Sequence, residues 1–208
     1  KAHVHSTFFT PDKQYLLVPD LGMDKVMHYR FNAALARPIS VAQPAYTAAE
    51  PGAGPRHFAF HPNKRYAYLI EEMGGAVTVF AYHDGSLNAL QRIATHPAGF
   101  KGQPGSADIH ISPDGKFLYA SNRGSENNIA IFAIGADGKL TAKGYQSALG
   151  EQPRNFVIDP TGKFLLVANQ KTNNIVVFKR NLSTGMLEAM PGGIQVPSPV
   201  CLIMIADH

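Results

Sequence analysis

The stretch DIHISPDGKFLYASNR, from Asp108 to Arg123, decides the fold. A short apolar run ends at Pro113. The Pro-Asp-Gly-Lys tetrapeptide that follows is a tight turn, in which proline presets φ and Gly115 supplies φ > 0. A second apolar run covers residues 116–121, and a polar turn covers 123–127. Two strands joined by a tight turn form a hairpin, and residues 129–134, rich in β-branched side chains, read as its third strand. The turn Ala136-Asp137-Gly138 then leads to a weaker fourth strand from Lys139.

The same frame recurs through the chain. TFFTPDKQYLLVPD from Thr7, HFAFHPNKRYAYLIEE from His57 and NFVIDPTGKFLLVANQ from Asn155 align with it. Their shared prolines, Pro11, Pro62, Pro113 and Pro160, lie 51, 51 and 47 residues apart. Third strands recur at 77–80 and 175–178. Four short strands per unit, a turn about every ten residues and a period near fifty predict an all-β fold. The predicted architecture is a β-propeller of four-stranded antiparallel blades. No segment carries the 3.6-residue period of a helical solenoid. The blades fall at about 3–52, 53–103, 104–150 and 151–197, with the first strand of a further blade at 198–206. That strand, SPVCLIMI from Ser198, aligns with QPRNFVI from Gln152. An inner strand with an open edge needs a partner. The closing strands are therefore expected from missing N-terminal blades of the same protein or from a second chain.

Composition narrows the classes. Of 208 residues, 45% are hydrophobic and only 16% charged, which suits a packed core with loop-rich surfaces. The formal charge of +4 comes without a dense basic run, so nucleic acid is not expected as a partner. No apolar stretch approaches the ~18 residues of a membrane-spanning helix. Cys201 is the one cysteine, which excludes an internal disulfide, and it is expected to be buried as a small apolar residue. No signal-peptide pattern opens the chain, and a cytoplasmic location is expected.

Repeat register turns sequence position into spatial convergence, because equivalent residues of a propeller lie on a ring about its axis. Six residues before each shared proline stand His5, Arg56, Ala107 and Arg154. Ten residues after it, on the returning strand, stand Leu21, Glu72, Arg123 and Gln170. Arg56 and Glu72 should thus meet at one end of a hairpin. Cations and a carboxylate beside a concave axis make an anion site with a candidate base. Solvated rim charges or ion pairs between blades would give the same pattern.

A family resemblance runs along essentially the whole chain. GAGPRHF from Gly52, FHPN from Phe60, Tyr66-Ala67-Tyr68 with Glu72, ADIHISPDG from Ala107 and Gln152-Pro153-Arg154 resemble the seven-bladed β-propeller lactonases. That family includes bacterial 6-phosphogluconolactonases and fungal carboxy-muconate lactonizing enzymes. The resemblance implies seven blades when complete and a catalytic rim of His5, Arg56, Glu72 and Arg154. It implies hydrolysis of a small anionic sugar lactone, 6-phosphogluconolactone first, with a carboxy-muconate cycloisomerase as the enzymatic alternative. A non-enzymatic binding scaffold remains the alternative of another class.

In the lactonase reading, Glu72 or His5 is the general base, and Arg56 and Arg154 hold the oxyanion or the substrate's phosphate. This chemistry requires no cofactor. His57, Asp108 and His110 are further substrate-binding candidates. His57, next to Arg56, should alternate to the other strand face and pack there; Asp108 and His110, two apart, line the channel or tie blades together. His61 reads as a turn residue at the opposite rim. Asp20, Glu71, Asn122 and Asn169 share a register that would suit a hard cation, but such residues also favour turns, and no metal is expected.

Overall fold

The structure is a computed structural model and describes residues 1–204. The first sheet comprises β1 (Phe8–Phe9), β2 (Tyr15–Asp20), β3 (Lys25–Phe31) and β4 (Ile39–Ala48). The second comprises β5 (Pro55–Phe60), β6 (Tyr66–Glu71), β7 (Ala76–His83) and β8 (Ser86–Ala94). The third comprises β9 (Ser106–Ile111), β10 (Phe117–Asn122), β11 (Asn128–Ile134) and β12 (Leu140–Ser147). The fourth comprises β13 (Pro153–Ile158), β14 (Phe164–Asn169) and β15 (Asn174–Arg180), with β16 (Leu187–Ala189) and β17 (Ile194–Gln195) both paired to β15. All pairings are antiparallel, strand order follows chain order, and no helix occurs among the described residues. The all-β, four-stranded blade read from the repeats is the observed unit.

The cores lie between the sheets. Neighbours in β10 feed different ones. Leu118 and Ala120 pack with Tyr68, Ile70 and Val79 of the second sheet. Tyr119, between them, packs with Phe156, Leu165 and Val167 of the fourth. Side chains alternate across a strand, and here each face meets another sheet. The middle strands are consequently apolar on both faces rather than alternating with polar residues. A third core joins Leu17 and Val26 to Phe58, Leu69 and Phe80.

One contact repeats at each junction. Gly85, Gly138 and Gly185, in the turns after the third strands, have φ values of 76°, 78° and 77°. They abut Tyr15, Tyr66 and Phe117 of the preceding blade. A Cβ on Gly138 would fall 2.5 Å from Tyr66 Cδ1, in a backbone region that L side chains avoid. Gly138→Ala is expected to destabilise the fold by about 2–4 kcal/mol, from left-handed strain plus overpacking. Urea denaturation reads this, and an unchanged midpoint would show that the contact does not set the blade spacing.

The inner hairpins of the second, third and fourth blades carry a register shift at the same place. Pro55 pairs with Glu71 but His57 with Ile70, so Arg56 is an extra residue. Pro153 pairs with Asn169 but Asn155 with Ala168, so Arg154 is another. The third blade shifts between Ala120 and Asn122. A bulge twists the strand and re-aims the side chain it carries.

Past the fourth sheet, the described residues 198–204 form no strand; the last positions of the strand expected at 198–206 lie outside the described residues. One inner-strand contact is present: Leu202 N donates to Asn155 Oδ1 at 2.6 Å. The expectation for Cys201 is overturned. Its thiol is exposed, because no described sheet packs over this segment.

Candidate active site

The bulges place an ionic cluster at one end of the inner strands. Arg56 Nε donates to Glu72 Oε2 at 2.7 Å, and Arg123 Nη2 lies 2.9 Å from Glu72 Oε1. One carboxylate thus joins guanidinium groups from two blades. Arg123 Nε donates to Gly105 O at 2.9 Å, and Arg56 Nη1 donates to Ala107 O of the next blade. Arg56 is 1% exposed, Arg123 14% and Glu72 25%. Burial alone would raise the Glu72 pKa. Arg123, and then Arg56, outweigh it and hold the carboxyl below the usual glutamate value.

His5 stands beside this cluster, its ring centroid 5.1 Å from that of His57. Its Nδ1 is buried without a hydrogen-bond partner among the described residues. Burial, then the charge of Arg56, lower its pKa to about 4, with further lowering by His57 and Arg154 and opposition from Glu72. At neutral pH this imidazole is uncharged, with a nitrogen available to accept a proton. Arg154 is partly buried and forms no ion pair among the described residues. Its charge acts on both His5 and Arg56, which places it in the same electrostatic neighbourhood.

The remaining candidates form a second layer. His57 Nδ1 is 2.7 Å from Asp108 Oδ1, and His57 Nε2 is 3.3 Å from Arg56 Nη1. His57 was expected to turn away from Arg56. The bulge breaks strict alternation at this point, and the imidazole contacts the guanidinium instead. His110 Nε2 is 3.1 Å from Asp108 Oδ2, and its ring meets Phe156 edge-on. His61, in the turn at the other end of the strand, bonds Gly115 O of the next blade at 3.0 Å.

The four residues weighed as a cation ring are occupied locally. Asp20 Oδ1 accepts the backbone N–H groups of His3, Gly22 and Met23. Glu71 accepts from Thr78 and Arg92. Asn122 Nδ2 donates to Thr95 O and Asn128 Oδ1, and Asn169 Nδ2 to Ala148 O. The register that assembled them is that of a turn after a strand.

Arg123 was not selected from sequence, although it occupies the register of Glu72 one blade later. Position alone carried the signal. Three guanidinium groups against one carboxylate give the rim a cationic excess suited to an anionic ligand.

The family described as "Lactonase, 7-bladed beta-propeller" matches residues 1–204. The chain belongs to the seven-bladed β-propeller lactonase family. It is 47% identical over 194 residues to the 6-phosphogluconolactonase of Formosa agariphila, covering 91% of this chain and 54% of that protein. It is 36% identical over 205 residues to the 6-phosphogluconolactonase of Bacillus subtilis, covering 97% and 57%. Among solved structures, the periplasmic gluconolactonase of Pseudomonas aeruginosa superposes with a TM-score of 0.94 at 42% identity, covering 99% of this chain and 57% of that one. The chain thus spans a little over half the length of these lactonase relatives.

Proposed function

We propose that the protein hydrolyses a sugar lactone, 6-phosphogluconolactone before others, at the rim formed by His5, Arg56, Glu72, Arg123 and Arg154. The observation that carries this reading is the Arg56–Glu72–Arg123 bridge beside a half-buried, uncharged His5. Ester hydrolysis needs a water relieved of a proton and a place for the oxyanion. The geometry favours His5 as base over Glu72, because both Glu72 oxygens are engaged by guanidinium groups. Water attacks the lactone carbonyl as the His5 imidazole takes its proton. The tetrahedral oxyanion is met by guanidinium N–H donors. The C–O bond to the ring oxygen breaks, and that oxygen leaves as an alcohol carrying the proton from His5. Arg154, without an ion pair among the described residues, is the donor best placed to meet the substrate's phosphate as a planar fork. Glu72 keeps the other two guanidiniums apart and aimed.

The test is hydrolysis above the spontaneous rate, by the full-length protein, of 6-phosphogluconolactone and of the same lactone without phosphate. A preference for the phosphorylated substrate is expected. Turnover of a carboxylated muconate instead would move the assignment to a cycloisomerase, and turnover of none of these would leave a scaffold. The pH profile gives a second expectation. A base acts only when deprotonated, and the His5 pKa lies at about 4. The kcat/KM value should therefore stay level down to about pH 5 and fall below it, through about 4. A descending limb near the ordinary histidine value of about 6.5 would exclude His5 as the base.

A further inference from the structure

Asp108 is 3% exposed, and both its oxygens are in use. Oδ1 lies 2.7 Å from His57 Nδ1 and accepts the Ile109 backbone N–H at 3.0 Å. Oδ2 accepts Asn155 Nδ2 at 2.5 Å and the Phe156 backbone N–H at 3.2 Å, with His110 Nε2 at 3.1 Å. His57 belongs to the second blade, Asp108 to the third, and Asn155 and Phe156 to the fourth. A carboxylate buried this deeply and donated to from every side has no oxygen left for a substrate. Its partners with a choice are the imidazoles of His57 and His110, and of these His57 bonds on to Arg56. Backbone N–H groups can only donate, whereas an imidazole can place its proton on either nitrogen.

We propose that Asp108 is a positioning residue of the rim, fixing His57 with its proton on Nδ1 so that Nε2 accepts from Arg56 and holds the guanidinium that braces Glu72. The order is set by acceptor and donor. The carboxylate accepts, so His57 Nδ1 donates; His57 Nε2 then carries a lone pair, 3.3 Å from Arg56 Nη1, which has only protons to offer. The inference deepens the lactonase reading and rests on it for its catalytic consequence. The tautomer itself does not depend on that reading.

Asp108→Asn separates positioning from mere packing. The amide keeps the shape but must put its NH2 on one side. Facing Oδ2's partners, it would oppose the N–H groups of both Phe156 and Asn155; facing Oδ1's, it opposes only the Ile109 N–H, since the imidazole can adapt. It therefore turns to His57, which can switch to accept at Nδ1 and carry its proton on Nε2, against Arg56. In full-length protein labelled with ¹⁵N-histidine, the wild-type His57 signal is expected as the Nδ1–H tautomer, assigned by its disappearance in His57→Phe. In Asp108→Asn it is expected as Nε2–H. For lactone hydrolysis, Asp108→Asn is expected to lower kcat about 30-fold with KM changed less, but under about 3-fold when introduced into His57→Phe. An Nε2–H tautomer in the wild-type protein overturns the inference without any variant having to fold. So does an equal fold-loss in both backgrounds, which would mark a structural role. If the tautomer switches as expected and no variant or wild type hydrolyses a lactone, the positioning stands and the lactonase reading fails.

Discussion

Glu72→Gln is expected to cost the protein both stability and activity. The carboxylate engages Arg56 and Arg123 at 2.7 and 2.9 Å, and Arg56 is almost wholly buried. A glutamine can accept from one guanidinium, but its NH2 group opposes the other. Removing one partner of a buried pair costs about 3–5 kcal/mol; Glu72 is a quarter exposed, so about 2–3 kcal/mol is expected here. Equilibrium urea denaturation measures it. Because the bridge also aims both guanidiniums, kcat/KM for lactone hydrolysis should fall about 100-fold or more. A loss of stability with full activity would separate the bridge from the chemistry.

Arg154→Ala should show the opposite division. Arg154 forms no ion pair among the described residues and is only partly buried, so unfolding should change by no more than about 0.5 kcal/mol. Yet kcat/KM for the phosphorylated lactone should drop about 100- to 1,000-fold, and less for the unphosphorylated one. A direction in pH accompanies it. The charge of Arg154 helps to lower the His5 pKa, so its removal should move the acid limb of the profile upward. Equal loss for both substrates, with the limb unmoved, would place Arg154 outside the site.

Much of this was legible in the sequence, for identifiable reasons. Prolines at a near-constant spacing mark the hairpins, and the hairpin register alone puts Glu72 beside Arg56. The bulges were not legible, because a period-two pattern has no mark for an extra residue. That single omission turned His57 to the wrong face. The burial expected of Cys201 rested on residue type, whereas exposure depends on what packs over the segment. The Asp108 hub was half legible. His57, Asp108 and Asn155 each stand five residues before their prolines, so the register aligned them. It did not say that neighbouring members of that ring would bond to one another, because three unlike side chains leave no repeated motif.

The junction glycines carry one more consequence. Gly85, Gly138 and Gly185 each let a turn close onto an aromatic ring of the blade before it, where a methyl group would collide. That contact lies at the end of the third strand, away from the inner strands that bear the ionic cluster. It therefore limits how closely adjacent blades approach along their outer side, and so the wedge angle between them. A bulkier residue there would widen the wedge, and wider wedges complete a circle with fewer members. The curvature of the arc, and with it the spacing at the rim where His5 and the arginines converge, depends on the absence of a side chain at one position in each of these three blades.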